Sequence, residues 1–330
     1  MARKPPELSV VVVGYRMQRE LPRTLRSLSP AMQRDIAAGD YEIILVDNGS
    51  PEPMPMERFP AFGAQVSCHH IANAAVSPAA AANFGLRQAR GRVIGLMLDG
   101  ARLASLGFHL GFAQQMESTR HGYDQAAEDA LLASANWTED GYRLFDIATL
   151  AGSSEGGLFL AIGESNALFM SRRLWRELGG LDENFASPGG GYVNLDLYRR
   201  ACELPGSRLV VMLGEATFHQ VHGGAAANAA PGRHLEFHEE YVRLRQKPHV
   251  FPDREAIFLG HAPPQVLPLI EQSARIAQRA AAARSPRRDL PPGFDPAWYL
   301  ARHKDVAAAG LAAGEHFLRY GQFEGRAWRP

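Results

Sequence analysis

The sequence predicts an α/β protein built on a mostly parallel, doubly wound sheet flanked by helices. Three observations carry that expectation. Short, uninterrupted apolar runs rich in β-branched residues recur through the first hundred residues, as strands buried on both faces require. Helical segments with one apolar face separate them. Three of the runs end abruptly in a polar group, and open parallel sheets bind ligands outside the carboxyl ends of their strands.

Leu8–Val13 (LSVVVV) is the first strand, and Leu21, Leu25 and Leu28 mark one face of the helix after it. Tyr41–Val46 (YEIILV) is a second buried strand, and Ala64–His69 (AQVSCH) a weaker third. Ser77 and Pro78 open a helix, Ser as N-cap and Pro in the first turn, running through AAAANFGLRQAR. Arg92–Leu98 (RVIGLML) is the next strand. Further on, Gly157–Gly163 (GLFLAIG) and Asn166–Ser171 (NALFMS) read as strands, and SRRLWRELGG as a helix ended by glycine, with Trp175 on its core side. SPGGGYVNLDLYRRACEL reads as a glycine loop opening a helix. Arg208–Leu213 and Glu215–His219 read as two late strands, and PGRHLEFHEEYVRLRQ as a helix.

From His261 the character changes to an Ala-, Arg- and Pro-rich stretch. The expected organisation is a main domain over 1–260, a linker helix over 261–293 and a small helical module over 294–330. The module has its own aromatic set of Phe294, Trp298, Tyr299, Phe317 and Tyr320. Arg275, Arg279, Arg284, Arg287 and Arg288 fit a solvated linker helix better than a membrane-surface contact.

Composition narrows the function classes. Lys and Arg (35) balance Asp and Glu (35), which argues against a dedicated nucleic-acid binder. The 2 cysteines, Cys68 and Cys202, make neither a disulfide framework nor a zinc cluster and point to a reducing compartment. No apolar run approaches the roughly 18 residues of a membrane span. The apolar run after MARKPPE is broken by Gly14, Tyr15 and Arg16 and reads as a first strand, not a signal peptide. The expected location is the cytoplasm, with at most peripheral contact at the inner face of a membrane.

The polar strand ends are Gly14-Tyr15-Arg16, Asp47-Asn48-Gly49-Ser50 and Asp99-Gly100-Ala101-Arg102. Asp47 and Asp99 thus fall on one rim of the expected sheet. A single Asp after a strand is most simply a turn residue, but two on one rim favour a ligand site. A carboxylate only accepts hydrogen bonds, so it suits ribose hydroxyls and a ring N–H, not phosphate oxygens. Phosphates need metal, arginine or backbone N–H groups. Neither GxxxxGK[ST] nor GxGxxG follows the first strand, so the common NTPase and dinucleotide readings lack support.

LSVVVVGYRMQRELPRTLRSL, YEIILVDNGSPEP, NFGLRQARGRVIGLMLDGA, ESNALFMSRRLWRELGGLDENF, GYVNLDLYRRA and TFHQVHGG follow one another over roughly residues 8–224. As an ordered series they resemble the inverting glycosyltransferases of family 2, which have the GT-A fold, a Rossmann-like, mostly parallel sheet flanked by helices. The resemblance implies nucleotide-sugar binding by Tyr15, Asp47, Asn48, Gly49, Ser50, Asn83, Asp99, Gly100 and Arg102. It implies acceptor contacts around Asp182, with Gly190 and Gly191 letting a sugar approach the backbone, and it places Asn194 where the family carries its catalytic Asp.

Two departures stand out. Ala101 replaces the second Asp of the family's D-x-D pair, and Asn194, an amide, cannot take a proton at neutral pH. For charge on the leaving diphosphate two arrangements are open. Either Asp99 with His219 or His222 holds Mn²⁺ or Mg²⁺, or Arg102 contacts the diphosphate directly. For the base, Asp196 and Glu164 are the candidates, with Asn194 orienting a substrate. The alternative for Asp196 is stabilisation of a helix first turn. Trp137, in NWTEDGY, is the expected sugar-stacking residue on the acceptor side.

The resemblance therefore implies transfer of a sugar from a UDP- or GDP-linked donor to a glycan or lipid-linked acceptor, in bacterial surface-polysaccharide synthesis. The runner-up is a catalytically silent nucleotide-sugar or glycan binder on the same fold. The C-terminal FDPAWYLARHKDVAAAG and EHFLRYGQFEGR resemble a short FDxxYYL…GxxEGR module appended to bacterial glycosyltransferases and surface-polysaccharide proteins.

Overall fold

A computed structural model describes residues 5–52, 54, 65–98, 122–150, 154, 156–163, 165, 167–223, 233–252, 254–284, 289–308, 310–322 and 324–329. It also describes 102–104 and 112–117; for these residues and for 233, 282–284 and 319 the description covers the backbone alone. The chain divides into two units, 1–273 and 274–330.

The first unit opens β1 (Leu8–Gly14), α1 (Leu21–Ser27), β2 (Tyr41–Asp47), β3 (Gln65–His70), α2 (Ala79–Gln88) and β4 (Val93–Met97). It continues with β5 (Arg102–Ala104), β6 (Phe112–Glu117), α3 (Gln125–Ala135), α4 (Leu144–Ile147), β7 (Ala167–Ser171) and α5 (Arg172–Leu178). Then come α6 (Val193–Glu203), β8 (Leu209–His219), α7 (Arg233–Arg245), β9 (Ala256–Leu259) and α8 (Leu267–Arg284), which runs on into the second unit.

The strands form one mixed sheet in the order β3-β2-β1-β4-β7-β6-β8-β5, with β9 also on β8. The expected α/β class is what the backbone adopts. β1, β2, β3 and β4 are mutually parallel. β7 runs antiparallel to both neighbours, and β6, β8 and β9 run with the first four.

Alternation along β1 divides the core between two faces. Val10 and Val12 pack with Leu21, Leu25 and Leu28 of the α1 side, while Val11 and Val13 pack with Ala79 and Ala82 of α2. Gly85 lets α2 lie close, for a Cβ there would come 2.4 Å from Val11 Cγ1. Ser9 and Glu42, polar residues inside buried strands, satisfy each other at 2.7 Å and take the Arg90 backbone N–H. Trp175 is core, as expected, with its indole N–H donating to Ile94 O at 2.9 Å.

Three expectations change. Gly157–Gly163 is not a strand; it is a loop that buries Leu158 and Ile162, with Gly157 (φ 66°) pressed against Ser273. The two late strands are one, β8, running through Gly214, where a Cβ would meet the His261 carbonyl at 2.5 Å. The helix after Ser77 begins at Ala79, with Pro78 as its cap residue.

The second unit contains α9 (Pro296–Arg302), α10 (Lys304–Ala308), α11 (Ala313–His316) and a π turn at Phe317–Gly321. Tyr299, Val306, Ala313 and Phe317 form its core, with Phe294 against it. Asp295 caps α9 through the N–H groups of Ala297 and Trp298. The division between units falls inside α8, at Ser273/Ala274. Among the described residues no helix is long and apolar enough to cross a membrane.

Candidate functional site

Strand direction alone assembles one rim. β1, β2, β3, β4 and β8 run the same way, so Gly14, Asp47, His70, Met97 and His219 end on the same edge of the sheet. The antiparallel strands begin there: Ala167 of β7 lies opposite Met97, and Arg102 of β5 opposite His219.

Register places Gly14 beside Asp47 and Asp47 beside His70. Asp47 is 0% exposed. Its Oδ1 accepts from the Ser50 N–H (3.1 Å) and the Ser50 hydroxyl (2.6 Å), and its Oδ2 lies 2.9 Å from His70 Nδ1. Ser50 Oγ in turn accepts from the Arg16 N–H at 2.8 Å. Asn48 donates its side-chain amide to Ala75 O (3.0 Å) and its backbone N–H to Gly14 O (2.9 Å). Gly49 turns at φ 77°, where a Cβ would sit 3.1 Å from the Ile71 carbonyl, so the turn requires glycine. Above this layer Tyr15 is 46% exposed, and the Arg16 guanidinium lies 5.2 Å from its ring centroid.

A second group gathers at the start of α6. Asn83 of α2 donates its amide to Leu181 O (2.9 Å) and Glu183 Oε1 (2.8 Å) and accepts from the Leu181 N–H (2.9 Å). It thus pins the segment before the glycine turn. Gly189 donates its N–H to Val76 O, and a Cβ on Gly190 (φ 88°) would come 3.1 Å from Pro78. The turn therefore packs on the loop that leaves β3. From the other side Glu240 of α7, buried, accepts from the Ala186 and Ser187 N–H groups with Oε1 (2.9 and 3.1 Å). A Cβ on Gly191 would come 3.2 Å from Glu240 Oε2.

Asn194 stands in the first turn of α6. Asp196 follows on that helix at 1% exposure, and its carboxylate accepts three hydrogen bonds from two arginines. Arg245 Nε donates to Oδ1 at 2.6 Å, and Arg245 Nη2 and Arg200 Nε both donate to Oδ2 at 2.8 Å. Arg245 also reaches Asp182 Oδ2 at 2.8 Å. Burial alone would raise the pKa of Asp182, but hydrogen bonds from Asn184 and Arg245 outweigh it and hold the group below the usual carboxylate range. The hydrogen bonds to Asp196 raise the pKa of Arg245. Asp182 and Asp196 thus form a charge-paired brace. Three of the roughly four lone-pair sites of the Asp196 carboxylate accept from guanidinium groups.

At the end of β8, His219 and His222 bring their Nε2 atoms within 2.8 Å of each other. The loop carrying them is tied down by Glu128 of α3, whose Oε1 accepts from the Val221 N–H at 2.8 Å. Arg19 bridges Val221 O (3.2 Å) and Glu128 Oε2 (2.9 Å). Burial raises the pKa of Glu128 despite these partners. The spacing of the two imidazole nitrogens is a hydrogen bond between the rings, and the register of Arg102 with His219 lays β5 alongside the end of β8. Among the described residues no three His, Cys, Asp or Glu side chains are grouped to hold a metal.

Asp99, Gly100 and Glu164 lie outside the described residues, and Arg102 is placed by its backbone only. Trp137 is a correction: it is 5% exposed and packs with Met32, Leu132 and Phe145, so its ring faces the core and offers no stacking surface to a sugar. Sequence reasoning missed His70, Glu128, Glu240 and Arg245. Only His70 carried a usable signal, since it closes β3 beside the Asp47 strand end.

Residues 9–99 match the family model described as Glycosyl transferase family 2. Comparison with curated proteins gives no match. Among solved structures, S. aureus TarS aligns at 14% identity and a TM-score of 0.44, over 92% of this chain and 49% of TarS; the chain spans about half of that protein. Mannosyltransferase PcManGT from Pyrobaculum calidifontis, in complex with GDP-Man and Mn²⁺, aligns at 16% identity and a TM-score of 0.46, over 96% of this chain and 88% of its own. S. aureus TarS 1-349 in complex with UDP-GlcNAc aligns at 13% identity and a TM-score of 0.44, over 98% and 93%. The matched segment runs from β1 to the end of β4 and holds the Asp47 rim, so over these residues the chain is similar to glycosyl transferase family 2.

Proposed function

We propose that the chain is an inverting glycosyltransferase that moves a sugar from a UDP- or GDP-linked donor to a glycan or lipid-linked acceptor. One observation carries the reading. The segment that matches family 2 is the part of the sheet whose strand ends bring Tyr15, Asp47, Asn48, Gly49, Ser50 and His70 to one rim.

In this reading the nucleoside lies across the ends of β1–β3, with the exposed Tyr15 ring offering a stacking face. The acceptor enters beside the glycine turn at 189–191, held between the β3 exit loop and Glu240. Its hydroxyl oxygen attacks the anomeric carbon from the face opposite the diphosphate, the carbon–oxygen bond to phosphate breaks, and a base takes the hydroxyl proton. Asp196 is committed to Arg200 and Arg245, so of the two carboxylates Glu164 is the candidate base, with Asn194 orienting a substrate hydroxyl. A divalent cation held by Asp99, His219 and His222 would stabilise charge on the leaving diphosphate. Arg102 is the cation that would take this role without it.

A second reading, a silent nucleotide-sugar binder, is favoured by one specific feature. The position expected to hold the base is Asn194, and the nearest acid on the same helix is neutralised. Incubating the full chain with UDP-GlcNAc, GDP-Man and other UDP- and GDP-sugars, with and without Mn²⁺, separates the two. Slow release of nucleoside diphosphate is expected of the transferase. Saturable binding without release supports the silent binder, and neither binding nor release overturns both.

A further inference from the structure

We infer that His70, not Asp47, is the side chain that reads the nucleobase, and that Asp47 acts through it. The inference rests on the proposed nucleotide site and specifies which base it takes.

Asp47 is sealed beneath the rim. It is wholly buried, Oδ1 is taken twice by Ser50, and Oδ2 faces His70 Nδ1. The exposed member of the pair is His70, whose side chain is 34% accessible. Among the described residues no hydrogen bond reaches its Nε2. A ligand laid across the ends of β1–β3 therefore meets the imidazole and not the carboxylate.

The chemistry of the pair fixes what His70 offers. A carboxylate accepts and never donates, so the hydrogen between the two groups sits on Nδ1. In its neutral form the ring presents Nε2, the nitrogen away from Asp47, as a lone pair. That lone pair suits a base with a ring N–H on its pairing edge, N3–H of uracil or N1–H of guanine. Cytosine and adenine carry a ring lone pair at the equivalent place and oppose it. The ligand class is a nucleoside diphosphate whose base carries a ring N–H.

Asp47 is then a positioning residue, and its own substitution makes a distinct demand. In Asp47→Asn the two Ser50 donors select the carbonyl oxygen for the Oδ1 place and turn the amide NH₂ toward His70. Nδ1 becomes the acceptor, Nε2 carries the hydrogen, and the outward group changes from acceptor to donor. The base preference should reverse. A purely structural His70–Asp47 pair gives no such reversal.

The test is calorimetric titration of the full chain and its variants with UDP, GDP, CDP and ADP, alongside thermal melts. The wild type is expected to favour UDP or GDP over CDP and ADP by about tenfold, the scale of one hydrogen bond. His70→Phe should bring that ratio close to one, His70→Gln, which keeps an acceptor oxygen, should retain part of it, and Asp47→Asn should favour CDP or ADP. A folded His70→Phe that keeps the full ratio overturns the inference, as does a wild type that binds all four alike. If His70→Phe fails to fold, Asp47→Asn decides, and an unreversed preference overturns it. A wild type that binds none of the four removes the nucleotide reading and this inference with it.

Discussion

Arg245 of α7 grips Asp196 of α6 through two hydrogen bonds, 2.6 Å to Oδ1 and 2.8 Å to Oδ2, while its guanidinium also lies 5.2 Å from the Phe185 ring centroid. Arg200 adds a third bond from the helix that carries Asp196. The brace joins α6, α7 and the Asp182 segment behind the glycine turn. Removing the buried carboxylate takes from Arg200 and Arg245 the partner they share and leaves Arg245 its bond to Asp182. Asp196→Ala is expected to lower unfolding stability by about 3–5 kcal/mol in denaturant titration. Unchanged stability with lost turnover would return Asp196 to the role of base.

Close packing of α2 on the sheet supports the same rim. A methyl group at Gly85 has Val11 Cγ1 at 2.4 Å and Val46 Cγ2 at 3.1 Å, both on strands locked in the core. Gly85→Ala is expected to destabilise by about 1–3 kcal/mol, read as a lower denaturant midpoint with an unchanged slope. A stability equal to wild type would show that α2 does not press on β1 at this point.

Acid should weaken the α6–α7 region through His249. Its ring packs against Tyr192, Tyr241 and Phe251, and its Nε2 is buried without a partner among the described residues. Burial first, then the nearby Arg199 charge, depresses its pKa below 6.5, with Asp196 opposing and His238 adding to the shift. A group with a depressed folded pKa binds its proton more readily in the unfolded chain. The neutral ring is therefore stabilising above pH 6.5, and that contribution is lost as pH falls from 6.5 toward the folded value. His249→Phe should flatten this part of the stability–pH curve, measured by denaturation between about pH 5 and pH 8. An unaltered slope would place the acid sensitivity elsewhere.

Much of the fold was legible because β1, β2 and β4 are buried on both faces and so appear as unbroken apolar runs. β6 reads FAQQME and has no such run, and β9 is only four residues long, so neither announced itself. Gly157–Gly163 misled because a loop that buries Leu158 and Ile162 has the composition of a strand. Gly214 misled the other way, since its missing side chain makes room for a neighbouring carbonyl and leaves β8 continuous.

At the site, Asp47 was readable as a polar stop after an apolar strand. Its burial and its histidine were not, because β3 is only half-buried and its two terminal histidines look like surface. The partners of the glycine turn and of Asp196 were invisible for a simpler reason. Glu240 and Arg245 look like ordinary helix-surface charges and lie 54 and 49 residues from the groups they hold.

Hydrogen exchange of the full chain, followed by mass spectrometry with and without UDP or GDP in the presence of Mn²⁺, asks where a nucleotide sits. The account predicts slowed exchange in the peptides that contain Arg16, Asn48–Ser50 and Ile71–Ala75. Exchange unaltered by either nucleotide, or slowed only in peptides away from those strand ends, would contradict it.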